Sequence, residues 1–414
     1  RLPRLDFTHG IPDSGRTMVI VPTLLGAPEE VNELVEHLEV LALANLDPRI
    51  HFALLTDFKD APRQAMPGDE ESLAAARAGI EALNARFTAD RFFLFHRQRR
   101  WNDGEGAWIG WERKRGKIEE FNRLLRGATD TSFVSTVGDL EVLPAVRYCI
   151  TLDSDTRLPR DAARKLIGII AHPLNRAYFD PQAGRVTEGY AILQPRVSVT
   201  MASAAGSLFA RLYAGHTGVD PYTTAVSDTY QDLFGEGIFT GKGLFDVDAF
   251  QAALEGRVPE YALLSHDLFE GLYARTALVT DVEVVDDYPS TVLAHARRQH
   301  RWVRGDWQIL RWLFPLVPTR SGQVERNRLP LIARWKIFDN LRRSLVPPAT
   351  VALLVAAWTA LPGDAVRWTA ALLLALAFPV YPLLGRLLRG PRSQQPWIVF
   401  LRVMGDELRT ALAR

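Results

Sequence analysis

Two carboxylates one residue apart, Asp153 and Asp155, follow the run Tyr148-Cys149-Ile150-Thr151-Leu152. The run has the composition of a buried strand, so both acids are expected where that strand ends. Such a pair suits a hard divalent cation, which takes oxygen ligands and keeps places open for phosphate oxygens. The chemistry it points to is a metal-bridged diphosphate such as a nucleotide-sugar. Aspartates also start turns and cap helices, and Asp161 is expected to cap a helix over 162–170. Asp57, closing Leu54-Leu55-Thr56-Asp57, reads either as an acceptor for a uracil imide or ribose hydroxyls or as a turn residue.

Three further groups carry chemistry. The basic run Arg113-Lys114-Arg115-Gly116-Lys117 leads into a helix, where cations and free N–H groups can meet a diphosphate. Its plainer reading is a solvated loop, although Trp108-Ile109-Gly110-Trp111 just before it is unusual for one. Leu264-Ser265-His266-Asp267-Leu268-Phe269-Glu270 sets a His-Asp pair in an apolar helical pattern. Asp267 is there a candidate general base for a sugar hydroxyl, or a helix cap, and His266 a candidate core histidine. The segment 297–307 mixes arginines with Trp302 and Trp307, which suits holding a diphosphate and stacking on a sugar face. It equally suits an amphipathic helix at a membrane surface. A haloacid-dehalogenase-like phosphatase is disfavoured, since Arg157 stands where Thr or Val is needed. No H-E-x-x-H or comparable zinc spacing occurs.

The elements that must position these residues alternate. Strands are predicted over 16–23, 51–57, 91–96, 148–152 and 191–197, with helices over 28–44, 72–87 and 116–126. That order argues for a mostly parallel α/β sheet covered on both faces, with ligands beyond the carboxyl ends of the strands. Asp57, Asp153 and Asp155 fall at those ends and are expected to share one cleft with Asp267. The segment 234–243 is glycine-rich, as where backbone nears a ligand, and 323–329 reads as a polar linker. A 47% hydrophobic fraction supports a sizeable core in 414 residues. A net charge of +1 gives no field for nucleic acid, and Cys149, the only cysteine, reads as a core thiol.

The C-terminal part changes character. Segments 344–363 and 368–385 are uncharged, near the length of membrane-spanning helices, and are interrupted by Asp364 and Arg367. Arg342 and Arg343 precede them; Arg386, Arg389 and Arg392 follow. This predicts a helical hairpin with cytosolic flanks, kinked or delimited by Pro347, Pro348, Pro379 and Pro382, with an interfacial stretch over 397–404. Residues 1–15 lack the apolar stretch of a signal peptide. The chain is expected to be a piece of a longer protein.

The order of these motifs resembles the GT-A glycosyltransferases of the cellulose-synthase-like kind. The segments 151–159, 234–245, 265–270 and 297–308 are most similar to the glycosyltransferase domain of cyclic β-1,2-glucan synthases. The resemblance implies a GT-A domain over 1–325, a linker or interfacial segment over 326–343, and a transmembrane hairpin with its tail over 344–414. It implies an inverting transfer of glucose from UDP-glucose to a growing β-1,2-glucan. Asp57 would contact uridine, Lys117 the donor phosphates and Asp153 the donor. Asp155 would hold Mg²⁺ or Mn²⁺, and Asp267 would be the base. Arg301 and Trp302 would end a Q-x-x-R-W motif serving the acceptor and diphosphate. That motif wants Gln at 298; here Arg298 is followed by Gln299. The usual Glu-Asp around the base is here His266-Asp267. The implied setting is a bacterial inner membrane, multi-pass, with the catalytic domain cytosolic and joined to further domains of one synthase. The rival readings are another processive β-glycan synthase and a silent GT-A module that binds a glycan or partner.

Overall fold

The computed structural model describes residues 1–87, 91–214, 228–263, 265–377, 380–391 and 395–413. Leu264, Pro379 and Arg392 therefore lie outside the described residues. Apolar runs form strands β1 (Thr17–Leu25), β2 (Ile50–Phe58), β3 (Phe92–Arg97), β4 (Phe133–Val137), β5 (Tyr148–Thr151), β6 (Ile192–Val199), β7 (Gly243–Asp246) and β8 (Thr276–Asp286). They pair into one sheet in the order β8-β6-β7-β5-β1-β2-β3-β4. The pairs β1–β2, β1–β5, β2–β3 and β6–β8 are parallel. Strand β7 inserts antiparallel between β5 and β6, and β4 closes one edge antiparallel to β3. The expected mixed α/β architecture with a mostly parallel central sheet is therefore present.

The strands are apolar on both faces because both are covered. Met18, Ile20, Leu55, Phe93 and Phe95 point to one side, against Phe121, Leu125 and Phe269. Val19, Val21, Phe52, Leu54 and Leu94 point to the other, against Val31, Leu38, Ile80 and Ile167. The covering helices include α1 (Pro28–Ala44), α2 (Asp69–Phe87), α3 (Arg113–Leu125) and α4 (Ala162–Ile170). Pro28 opens α1, where its fixed φ and missing N–H cost nothing. Asp161 stands at the start of α4 but does not cap it through its side chain. Its backbone is left-handed, and its carboxylate accepts from Arg164 instead. Cys149 is a buried core thiol.

Helices α5 (Asp267–Ala274), α6 (Val292–Gln308) and α7 (Leu331–Thr359) follow. Much of 323–329, read as a polar linker, and of 326–343, read as a linker or interfacial segment, is ordered. Val324–Arg326 pairs with Leu316–Pro318. From Leu331 the chain is helical, burying Ala333, Ile337 and Leu341 against the core. Their spacing of four places them on one face, a pattern the flanking charges disguise. The run 344–363 lies largely within α7, which contains Pro347 and Pro348 without ending there. The run 368–385 is split between α8 (Ala365–Leu376) and α9 (Tyr381–Arg389), and 397–404 opens α10 (Trp397–Ala413). Helices α7 and α8 are joined by Trp358 Nε1 donating to Thr369 Oγ1 at 3.0 Å. Among the described residues no single helix is long and apolar enough to cross a membrane. Only α8 with α9 meets that test, as a pair bent by 69°. Val351, Val355, Trp358, Leu373, Leu374 and Leu388 on these helices are all exposed.

Candidate active site

At the carboxyl end of β2, Asp57 is buried rather than presented. Arg97, the last residue of β3, donates to Asp57 Oδ1 from Nε at 2.8 Å and to Oδ2 from Nη2 at 2.9 Å. Arg97 Nη1 reaches Glu120 Oε2 at 2.8 Å and the Trp111 carbonyl at 3.0 Å; Nη2 reaches the Arg113 carbonyl at 3.0 Å. Glu120 in turn accepts from Ser132 N at 2.9 Å and Ser132 Oγ at 2.5 Å. The guanidinium thus ties two buried acids to the turn that starts α3, where Glu112 and Arg113 adopt left-handed φ. Gly110 is required beside it, since a Cβ there would lie 2.5 Å from Asp57 Oδ2.

Lys117, one turn into α3, donates to the Thr23 carbonyl at 2.6 Å and lies 3.0 Å from Asp57 Oδ2. Burial, opposed by Asp57 and aided by Arg97, brings its ammonium down to about 8. An unfolded lysine keeps its proton to higher pH, so above pH 8 the unfolded state binds more protons and stability gains with rising pH. Relative to Lys117→Met, the wild-type urea midpoint should therefore climb as pH rises through about 8. Parallel midpoints across that range would show that Lys117 does not titrate there.

The D-x-D acids follow β5, which runs parallel to β1 beside it. Asp153 is taken by two lysines: Lys114 Nζ lies 2.6 Å from Oδ1 and Lys242 Nζ 3.1 Å from Oδ2. Burial alone would raise its pKa, but the two ammoniums hold it well below the usual carboxylate range. Lys114 also donates to the Gly241 carbonyl at 3.2 Å. Against the opposing effect of burial, Asp153 and Asp267 push Lys114 up to about 12. Asp155 behaves oppositely. Burial, then Asp286 and Asp153, raise its pKa, with Lys242 opposing. It is the D-x-D carboxylate that no cation holds within ion-pair distance among the described residues.

Asp267 opens α5 beside the glycine-rich loop. A Cβ on Gly241 would fall 2.6 Å from Asp267 Oδ1, so the loop passes the acid only as glycine. Among the described residues that oxygen has no hydrogen-bond donor. His266 Nδ1 lies 2.9 Å from Glu270 Oε1 and 3.5 Å from Asp267 Oδ1. Burial disfavours the imidazolium, but Glu270 and Asp267 outweigh it and raise the His266 pKa. Among the described residues, these three form the one His/Cys/Asp/Glu group whose ligand atoms lie within 4.8 Å of one another. That shift favours the imidazolium, which pairs with the two acids, over the neutral ring that a metal ligand needs.

A cleft of about 270 Å³ gathers most of the candidates. Asp153, Lys114 and Lys242 line it from the D-x-D side, Asp267 from α5, and Arg298, Gln299, Arg301 and Trp302 from α6. The Arg298 guanidinium carbon sits 5.9 Å from the Trp302 ring centroid. The one-residue shift of the glutamine thus leaves both Arg298 and Gln299 on the cleft. Gly305 lets α6 approach, because a Cβ there would lie 2.1 Å from that of Ser265. Asn340, Arg343 and Ser344 of α7 complete the rim. Of Asp57, Asp153, Asp155 and Asp267, expected to share one cleft, Asp153 and Asp267 do so and the other two do not. Asp57 and Lys117 are buried in their own ion network, and Asp155 sits to the side among acids.

No family model matches the chain. Over 381 residues it is 48% identical to cyclic beta-(1,2)-glucan synthase NdvB of Rhizobium meliloti (strain 1021). The chain is homologous to a segment of a cyclic β-1,2-glucan synthase. The match covers 91% of this chain and 13% of that protein, so the relative is far longer. It bears out the resemblance carried by the motifs. Among solved structures, the crystal structure of S. aureus TarS 1-349 aligns with a TM-score of 0.35 and 9% identity, over 71% of this chain and 65% of that one. That likeness is too remote to bear on function.

Sequence reasoning missed Arg97, Glu120, Lys242 and Asp286. Arg97 fell just outside the predicted strand. Lys242 was hidden among glycines, and Asp286 ends a strand, β8, that was not predicted.

Proposed function

We propose that this chain is the sugar-transferring module of a larger synthase: a GT-A glycosyltransferase that moves glucose from UDP-glucose to a growing β-1,2-glucan with inversion. One observation supports it most. Asp153 and Asp267 line the same cleft, with lysines at the first acid and Arg301 and Trp302 in the same lining. Inverting transfer needs a base on one face of the anomeric carbon and charge neutralisation on the other. Asp267 takes the acceptor hydroxyl proton on a carboxylate oxygen. The hydroxyl oxygen bonds to C1 as the C1–O bond to UDP breaks, and its electron pair leaves on the diphosphate. Lys114 and Lys242 stand where that charge develops. Trp302 offers a face for a sugar ring. Asp57, through Arg97, braces the turn into α3, and Lys117 is tied to the same carboxylate.

The residues fit a divalent cation in a limited way. Both oxygens of Asp153 are engaged by lysines, whereas Asp155 is uncompensated. One carboxylate plus substrate phosphates is a mode by which Mg²⁺ is commonly held. When bound, the ion would add positive charge beside the leaving diphosphate. Exposed apolar side chains on α7 to α10 support attachment to a membrane, and the arginines that flank 344–385 support a cytosolic catalytic part. The test is transfer of labelled glucose from UDP-glucose to short β-1,2-gluco-oligosaccharides, with product linkage and anomeric configuration read by NMR. A β-linked product is expected. An α-linked product, or equal transfer from other UDP-sugars, would contradict the reading.

A further inference from the structure

Lys242 is nearly buried between two acids. Its ammonium lies 3.1 Å from Asp153 Oδ2 and is paired with Asp286. Asp286 is fully buried and also accepts from Thr156 Oγ1 at 2.7 Å. The residues on either side of Lys242 are glycines under tight constraint. Gly241 has φ +83° and faces Asp267; a Cβ on Gly243 would fall 2.2 Å from the Leu193 carbonyl oxygen. This Gly-Lys-Gly turn therefore sets its backbone against the base while carrying its ammonium to the D-x-D. Lys242 also lines the cleft.

A cation serving Asp153 would be drawn to the position that this ammonium holds. Asp155 is left as the acid able to take an added ion. We propose that Lys242 is a built-in cation for the donor diphosphate, so that nucleotide binding rests on Lys242 together with an ion at Asp155 rather than on the ion alone. The inference deepens the nucleotide-sugar reading above and rests on it. In the transfer step, the Lys242 ammonium donates a hydrogen bond to the phosphate oxygen that receives the electron pair of the broken C1–O bond. The ammonium keeps its proton.

The experiment is calorimetric titration of UDP into the purified chain, in EDTA and in Mn²⁺. The wild type should bind UDP in EDTA. Lys242→Gln should weaken that binding by about 10- to 100-fold, the effect of one charge-assisted hydrogen bond, and Mn²⁺ should restore most of it. Asp155→Asn should do the reverse, keeping binding in EDTA and losing the gain from Mn²⁺. Because Lys242→Gln leaves Asp286 buried without its cation, the pair Lys242→Gln with Asp286→Asn is measured beside it. Undiminished binding of UDP in EDTA by folded Lys242→Gln would overturn the proposal. So would a wild type that binds UDP in Mn²⁺ but not in EDTA. Failure of the folded wild type to bind UDP in either buffer would overturn the nucleotide-sugar reading itself.

Discussion

Replacing Asp267 by Asn should leave UDP-glucose binding intact and cut glucosyl transfer by about 10²- to 10⁴-fold, the usual contribution of a general base. The amide keeps the shape of the side chain beside Gly241 but cannot take a proton. Donor affinity is expected to survive because the lysines that face the diphosphate, Lys114 and Lys242, hold Asp153 rather than Asp267. The loss should therefore fall on kcat, read from initial rates at saturating donor. His266 should stay paired with Glu270, 2.9 Å away, so the variant should fold normally. Undiminished transfer by Asp267→Asn would remove the base from the account and favour a silent, glycan-binding module.

The second large effect concerns folding. Arg97→Met should destabilise the chain by about 3–5 kcal/mol, the loss seen when one partner of a buried ion pair is removed. Arg97 side-chain exposure is 0%, and those of Asp57 and Glu120 are 3% and 2%. Without the guanidinium, Glu120 keeps, among the described residues, only Ser132 and a distant Arg100 at 3.9 Å. Asp57 keeps Lys117. The turn carrying Lys114 to Asp153 loses two of its carbonyl anchors, at Trp111 and Arg113. Urea unfolding measures the loss, and pairing the change with Glu120→Gln should recover part of it. A loss below about 1 kcal/mol, the size of an ordinary point substitution, would mean that the network is not a structural hub.

Much of this arrangement was legible in the sequence for a simple reason. Strands buried on both faces read as short apolar runs, and acids that end them stand out, as Asp57 and Asp153 do. Helix α1 showed its apolar period between Pro28 and Ala44. What stayed hidden depends on contacts between distant segments. The pairing of Lys242 with Asp286 joins a loop to the end of an unpredicted strand, and no local pattern announces it. Strand β7 is only four residues long and follows glycine-rich backbone, so its antiparallel insertion had no periodic signal. Asp57 reads from the sequence as either a donor contact or a turn residue, because the sequence shows where a strand ends, not which cation covers it. The C-terminal uncharged runs read as two spanning helices, and nothing local in them shows that the second divides into α8 and α9.

The most direct test of the central claim is calorimetry of UDP-glucose against the folded chain and against Asp153→Ala. Saturable binding by the wild type is expected, and its loss in Asp153→Ala, since that change takes from Lys114 its carboxylate partner and leaves Lys242 with Asp286 alone. Equal binding by the two proteins would contradict it, because the donor would then sit somewhere other than the cleft between Asp153 and Asp267.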